Sequence, residues 1–312
     1  MSETSINVGT DRFDLKVTEI GPIASRLMLN GAASRVVAVF DSSFYVGVAD
    51  GLVCVCADGL PIGPLNLITN ALSTTSWAAS GVQVGARAHV TKRSLLVGER
   101  FRFDLAGAPT WTPIASAEAW TTETLEQGLR AFRKACEGHI PDVGLGGFIR
   151  GIEMAGDGAG VRARARLPIK ALDAWITSSI ANPDHAAPPA SDILATLLGL
   201  GPGLTPSGDD LIGGVMVAAR TLVEAEVCRH LWSTACPVAT AAGNRIAVAH
   251  LMAASQGLAS DGIHRALDGI IQGRRASRDV LAGIDAIGHT SGWDAMAGVT
   301  LLIEAWLRSR KP

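Results

Sequence analysis

The chain reads as an α+β protein: a β-rich N-terminal domain, barrel or sandwich-like, followed by a mostly α-helical C-terminal domain. Three observations predict it. The first third holds many short apolar runs separated by glycine turns. Pro109-Thr110-Trp111-Thr112-Pro113 then interrupts the pattern. Beyond about residue 190 the runs lengthen, become Ala-rich and take up a helical period. The expected division is 1–115 β-rich, 116–190 a mixed connecting region, and 191–312 a helical domain. No βαβ alternation is present, which argues against a dinucleotide-binding fold.

In the first third, residues 35–40 form a short buried strand. Residues 44–48 and 52–56 flank Ala49-Asp50-Gly51, which contains the hairpin dipeptide Asp-Gly. Pro61-Ile62-Gly63-Pro64 marks a turn before residues 65–68. Further strands fit 82–90, 94–97 and 101–105. A helix fits 122–136, with Leu125, Leu129, Phe132 and Cys136 at three- and four-residue steps. Residues 141–160 are glycine-rich and irregular around Gly144-Leu145-Gly146-Gly147, a lid or a plain connection. Residues 161–167 alternate arginine with small residues, which fits a strand with Arg162, Arg164 and Arg166 on one face or, better, a plain charged solvated face, and 168–180 read as a helix. Then come a helix to 198 capped by Ser191, one over 211–227, an Ala-rich segment over 237–257 broken near Gly243, and helices over 261–273, 278–287 and 293–309.

Composition bounds the function. The 312 residues are 48% hydrophobic and only 18% charged, enough for a large core. A net charge of −2 supplies no basic field, so no nucleic-acid partner is expected. No run reaches membrane-spanning length, and residues 1–14 are polar, without a signal-peptide core, so no membrane partner is expected. Five cysteines without a CxxC pair fit reduced thiols in a cytoplasm. The seven histidines are scattered, no zinc signature appears, and neither a metal nor a cofactor is expected.

The informative segment is Gly199-Leu200-Gly201-Pro202-Gly203-Leu204-Thr205-Pro206-Ser207-Gly208-Asp209-Asp210, which leads into an apolar run. Its pattern returns in Gly288-His289-Thr290-Ser291-Gly292-Trp293-Asp294. Ser207-Gly208 aligns with Ser291-Gly292, Asp210 with Asp294, and Gly214-Val215 with Gly298-Val299. Each copy reads as a polar loop opening a helix with Asp in its first turn, where the helix dipole favours negative charge. Free N–H groups at such a terminus suit a small anion. The two starts are expected to face each other across one pocket, against the simpler alternative of two capped helices packed through small residues.

Asp210, His289 and Asp294 are the candidate catalytic residues. Gly201, Gly203, Thr205, Ser207, Gly208, Asp209, Thr290, Ser291, Gly292 and Arg245 are the candidate substrate contacts. Of the adjacent carboxylates, Asp209 is read as the cap and Asp210 as the residue aimed at the pocket. Arg245 offers a bidentate partner for an oxyanion, or an ordinary salt bridge.

These glycine loops and the helix between them resemble a bacterial family that includes the AllH subunit associated with oxamate carbamoyltransferase. The N-terminal half is similar mainly in its β pattern and its Gly63-Pro64 turn. The resemblance implies a cytoplasmic subunit working with an FdrA-like subunit and an AllG-type subunit in anaerobic purine or allantoin catabolism. It implies carbamoyl exchange between oxamate and phosphate, giving carbamoyl phosphate. A non-catalytic assembly or ligand-sensing subunit is the alternative.

Overall fold

The computed structural model describes residues 12–29, 33–74, 76–114, 120–153, 160–183, 186–222 and 224–310. The chain forms two compact units, Met1–Thr112 and Pro113–Pro312. The α+β expectation holds: the first is a closed β-barrel and the second is helical.

The barrel strands are β1 (Phe13–Ile20), β2 (Ala33–Val39), β3 (Ser43–Val48), β4 (Gly51–Cys56), β5 (Asn66–Thr69), β6 (Arg87–Val90), β7 (Ser94–Val97) and β8 (Phe101–Asp104). Their order around the barrel is β1-β5-β4-β3-β2-β6-β7-β8. Parallel pairing of β8 with β1, from Phe13↔Phe101 to Lys16↔Asp104, closes the ring. Closure removes free sheet edges. The interior is filled by Phe44, Trp77, Phe101 and Phe103, with ring centroids 5.2–6.4 Å apart.

Helix α1 (Pro22–Leu29) follows β1, and its first amides, Ile23 and Ala24, donate to Pro64 O at 3.0 Å. The Gly63-Pro64 turn therefore receives a helix start. The reading of the sequence missed both β1 and α1. A register shift between Val17 and Glu19 breaks the period-two alternation of β1. Of the strand expected at 82–90 only Arg87–Val90 forms, because Gly81 and Gly85 turn the chain at positive φ. The hairpin between β3 and β4 is tighter than its Asp-Gly dipeptide suggested. Val48 pairs with Gly51, so Ala49 and Asp50 make the turn and Ala49 takes φ +51°.

The helical unit contains α2 (Thr122–Ala135), a 3-10 turn (Gly146–Arg150), α3 (Val161–Ala181), α4 (Ser191–Leu197), α5 (Ser207–Thr221), α6 (Ala225–Ala241), α7 (Arg245–Ser255), α8 (Asp261–Ile271), α9 (Arg278–Asp285) and α10 (Ser291–Ser309). Thr121 and Thr124 close a capping box at α2. The strand expected at 161–167 is instead the first part of α3. Its buried stripe, Ala165, Ile169, Leu172, Ile176 and Ile180, is already helical across Pro168. Ser191 is the first residue of α4 and makes no cap bond. Helix α5 starts four residues before the expected Leu211, and Gly243 at φ +77° separates α6 from α7 as expected.

Helix α10 is the hub. Fourteen of its nineteen residues are buried, so it is apolar nearly all round rather than along one stripe. It packs against α5, α3, the 3-10 turn, α2, α8 and α9.

A left-handed conformation costs an L-residue with a Cβ about 1–2 kcal/mol. Ala49→Gly removes that strain and should stabilise the protein by about 1 kcal/mol, less the entropy glycine loses on folding. A thermal melt of the variant should show a higher Tm; an unchanged or lower Tm contradicts the assigned turn.

Candidate functional site

The repeated motif is a structural repeat. Helices α5 and α10 cross with their backbones in contact, and glycine makes the approach possible on both sides. A Cβ at Gly214 would stand 1.9 Å from Ala295 O, and one at Gly298 would stand 1.9 Å from Leu211 O. The other glycine of each motif, six residues earlier, repeats the pattern. A Cβ at Gly208 would meet Leu197 O at 1.9 Å, and one at Gly292 would meet Ile284 O at 2.2 Å. Each contact has its counterpart, so α4–loop–α5 and α9–loop–α10 behave as two related halves.

This crossing brings the loops together. Thr205 Oγ1 and Ser291 Oγ lie 3.0 Å apart, one from each loop. The first loop bends at Gly199, Gly201 and Gly203, all at positive φ. Gly201 has a second requirement, since a Cβ there would press on Ser207 N at 2.9 Å. Leu204 O accepts from Asn244 Nδ2 at 2.8 Å, and Asn244 also caps α7 through Ala247 N. Arg245 is next to that tether but its side chain is exposed. His289 is likewise exposed, at the tip of the second loop.

The carboxylates are arranged differently from the expected division of labour. The N-cap of α5 is Pro206, not Asp209, and Pro206 makes no side-chain cap bond. Asp209 Oδ2 instead accepts from Gly199 N at 2.6 Å, which ties the start of the loop to the helix it opens into. Asp294 is fully buried, and its Oδ1 accepts from Leu145 N. The glycine-rich segment around Gly144-Leu145-Gly146-Gly147 is therefore built on Asp294. Arg162 holds the same segment from α3, donating to Gly144 O, Pro141 O and Asp142 O at 2.9–3.3 Å. The charged-face reading of Arg162 gives way to a tethering role. Asp294 as an anchor and Asn244 as a tether were both missed; only Gly144 to Gly147 had signalled that segment.

The Oδ2 atoms of Asp210 and Asp294 are both closed off from solvent without a hydrogen-bond partner among the described residues. Asp210 as a residue is half-buried. Burial pushes its carboxyl well above the ordinary range, and neighbouring Asp294 and Asp209 add to the rise. The Ser291 and Thr205 hydroxyls act in the opposite direction. Burial also raises Asp294, offset by Ser207, the Leu145 amide and Thr290. The serines thus serve crosswise: Ser291 of α10 faces Asp210 of α5, and Ser207 of α5 faces Asp294 of α10. Burial raises Asp209 as well, offset first by the Gly199 amide.

Not all the expected anion donors are open. Gly208 N is bonded to Leu200 O at 3.0 Å and Gly292 N to Ile287 O at 3.1 Å. The two glycines serve the helix crossing, and their amides serve their own loops. The hydroxyls of Thr205, Ser207, Thr290 and Ser291 stand around the carboxyls instead. No His, Cys, Asp and Glu group among the described residues could hold a metal ion, and no described helix is long and apolar enough to cross a membrane.

One family model matches the chain. It is that of the oxamate carbamoyltransferase subunit AllH, and it covers residues 197–303, from the end of α4 into α10. The matched segment contains both glycine loops and the crossing they frame. No curated protein and no solved structure matches the chain.

Two outcomes follow from this geometry. Gly214→Ala and Gly298→Ala each force apart two backbones and should destabilise the helical unit by at least about 1–3 kcal/mol, the usual cost of overpacking. Gly213→Ala, whose Cβ would lie 3.6 Å from Ala254 Cβ, should be tolerated. Urea melts of the three variants test the crossing, and equal stability of all three would refute it. The second concerns Asp210. An acid whose folded pKa is raised contributes stability below its unfolded pKa, near 3.8, and that contribution is lost as pH rises through the folded value. Asn cannot ionise, so the Tm of Asp210→Asn relative to the parent should climb from pH 4 towards neutral and above. A flat difference across this range would show that Asp210 carries no burial penalty.

Proposed function

We propose that this chain is a subunit of an oxamate-type carbamoyltransferase and that its paired glycine loops hold a small anionic or carbamoyl substrate. The observation that carries the reading is the coincidence of the AllH match with the one place where two copies of a Ser-Gly-x-Asp loop meet, 3.0 Å apart at Thr205 and Ser291. Two related half-sites suit a ligand with two similar ends. Oxamate, a planar two-carbon unit with a carboxylate at one end and an amide at the other, is such a ligand.

The reaction is a transfer between oxamate nitrogen and phosphate. Phosphate oxygen attacks the carbamoyl carbon of N-carbamoyl oxamate, the C–N bond breaks, and the departing amide nitrogen takes a proton. The products are oxamate and carbamoyl phosphate. Two groups are needed: donors for the oxygen that becomes negative at the tetrahedral carbon, and a proton source for the leaving nitrogen. The hydroxyls of Thr205, Ser207, Thr290 and Ser291 and the amides of Gly201 and Gly203 are the candidate donors. Asp210 is the candidate proton source, since burial makes it hold its proton to higher pH than an ordinary carboxyl. In its protonated form it does not repel an anion. Asp294 supports the site by holding residues 144–146, and His289 and Arg245 are exposed side chains placed to meet a substrate from outside. FdrA-like and AllG-type subunits are the proposed partners, in cytoplasmic purine or allantoin catabolism under anaerobic conditions.

The test is carbamoyl phosphate formation from N-carbamoyl oxamate and phosphate by the chain together with FdrA-like and AllG-type subunits. Asp210→Asn should lower the rate by about 100-fold or more, the usual worth of a positioned acid, while the variant melts no lower than the parent. Ser291→Ala should lower it less. Full activity of Asp210→Asn would remove Asp210 from the chemistry. Full activity of the partners without this chain would favour an assembly or sensing role.

A further inference from the structure

A cavity is bordered by α2, α8 and the start of α9, and none of its lining residues belongs to the glycine loops. Its volume is about 220 Å3. Phe132, Ala266, Ile270 and Val280 give it an apolar wall, and Arg265, Arg274 and Arg275 stand around it.

The arginines are held in place with donors to spare. Arg265 uses Nε on Asp261, and Arg274 uses one terminal nitrogen on the buried Asp268. A guanidinium has five N–H donors, so both retain several. Arg275 has no partner among the described residues. The backbone carrying them is fixed by the end of α8: Gly273 N donates to Ile270 O and Arg274 N to Gly269 O, with Gly273 at φ +68°. This is the paired-bond helix ending that suits a left-handed glycine.

Gly269 supplies the independent observation. It is inside α8, where glycine is less favourable than alanine. Other glycines of these helices have a packing reason: a Cβ at Gly128 would stand 1.9 Å from Ile270 O, and one at Gly262 would stand 2.5 Å from Gly283 O. A Cβ at Gly269 would meet nothing within 4 Å, and its φ does not require glycine. The open space in front of it is the cavity it lines.

We propose that this cleft is a binding site for a small molecule with an oxyanion head and a compact apolar body. The head, phosphate or carboxylate, meets Arg274, Arg275 and the remaining donors of Arg265. The body lies over Gly269 against Phe132, Ile270 and Val280. A dry cavity of about 150 Å3 already admits benzene, so the volume is sufficient for a body of that size.

The experiment titrates the full-length chain by calorimetry with phenyl phosphate, benzoate and inorganic phosphate, alongside Gly269→Leu, Gly269→Ala and Arg275→Gln. Phenyl phosphate or benzoate should bind saturably, and the preferred one identifies the head group. Inorganic phosphate should bind at least about tenfold more weakly, because it lacks the body. Gly269→Leu should fill the space and abolish binding, and Arg275→Gln should weaken it by about tenfold, as loss of a charge-assisted bond does. Gly269→Ala should raise the Tm, which shows that the helix itself does not need glycine there. Absence of saturable binding by both aromatic probes overturns the proposal, as does unchanged affinity in Gly269→Leu and Arg275→Gln variants that melt like the parent. Carbamoyl transfer is not read in this experiment, so its failure is separate from failure of the glycine-loop site.

Discussion

The contact on which the candidate site depends is the backbone-to-backbone crossing of α5 and α10. Gly214 lies on Ala295 O and Gly298 lies on Leu211 O, each with no room for a methyl group. The crossing sets the distance between the two helix starts, and everything at those starts inherits it. Thr205 reaches Ser291, each serine faces the other helix's aspartate, and the two carboxyls come close enough for Asp294 to raise Asp210. A wider crossing would leave two ordinary helix termini in water. The proximity of four hydroxyls and two acids is thus a consequence of two missing side chains.

The two halves are related without being equal. Asp209 and Trp293 occupy corresponding positions and do opposite things. Asp209 accepts from Gly199 N, whereas Trp293 Nε1 donates to Asp285 Oδ1 at 2.7 Å. The first loop is long and turns at three glycines, and the second is short and turns at Gly288. A ligand with two similar but distinct ends would find two similar but distinct surroundings here.

How much of this was legible in sequence depended on the kind of signal. The repeat was visible because the two halves demand the same residues: Gly214 and Gly298 for the crossing, Gly208 and Gly292 for the contacts with α4 and α9, and Asp210 and Asp294 in the first turns of α5 and α10. The barrel was visible through its hairpin and short strands, but β1 was not, because a register shift spoils its alternation. Residues 161–167 misled because alternating arginine and alanine looks like a strand over seven residues, and the helical stripe declares itself only over Ala165 to Ile180. The tether from Asp294 to Leu145 spans 149 positions and leaves no local trace. Asp209 was assigned as a cap on position alone, and position does not reveal that Gly199 N is waiting for its carboxylate.

The electrostatics separate the two aspartates that the repeat makes equivalent. A helix N-terminus stabilises a carboxylate by about 0.3–1 kcal/mol, or ~2 in a partly buried setting. Removing a carboxylate from water costs several kcal/mol, so the dipole alone cannot hold either acid in its charged form. Asp294 recovers more of that cost: the Leu145 and Gly146 amides and the Thr290 and Ser207 hydroxyls all favour its charge, although burial still leaves its carboxyl raised, and it fixes the 144–146 segment. Asp210 has only the two hydroxyls, with two acids against it, and its carboxyl is raised further, while one oxygen of each acid is unbonded. Burial with few compensating donors favours the protonated form of such a group. A few hydrogen bonds therefore distinguish the half of the repeat that anchors a neighbouring segment from the half whose carboxyl is shifted most, and the proposed proton source is the second.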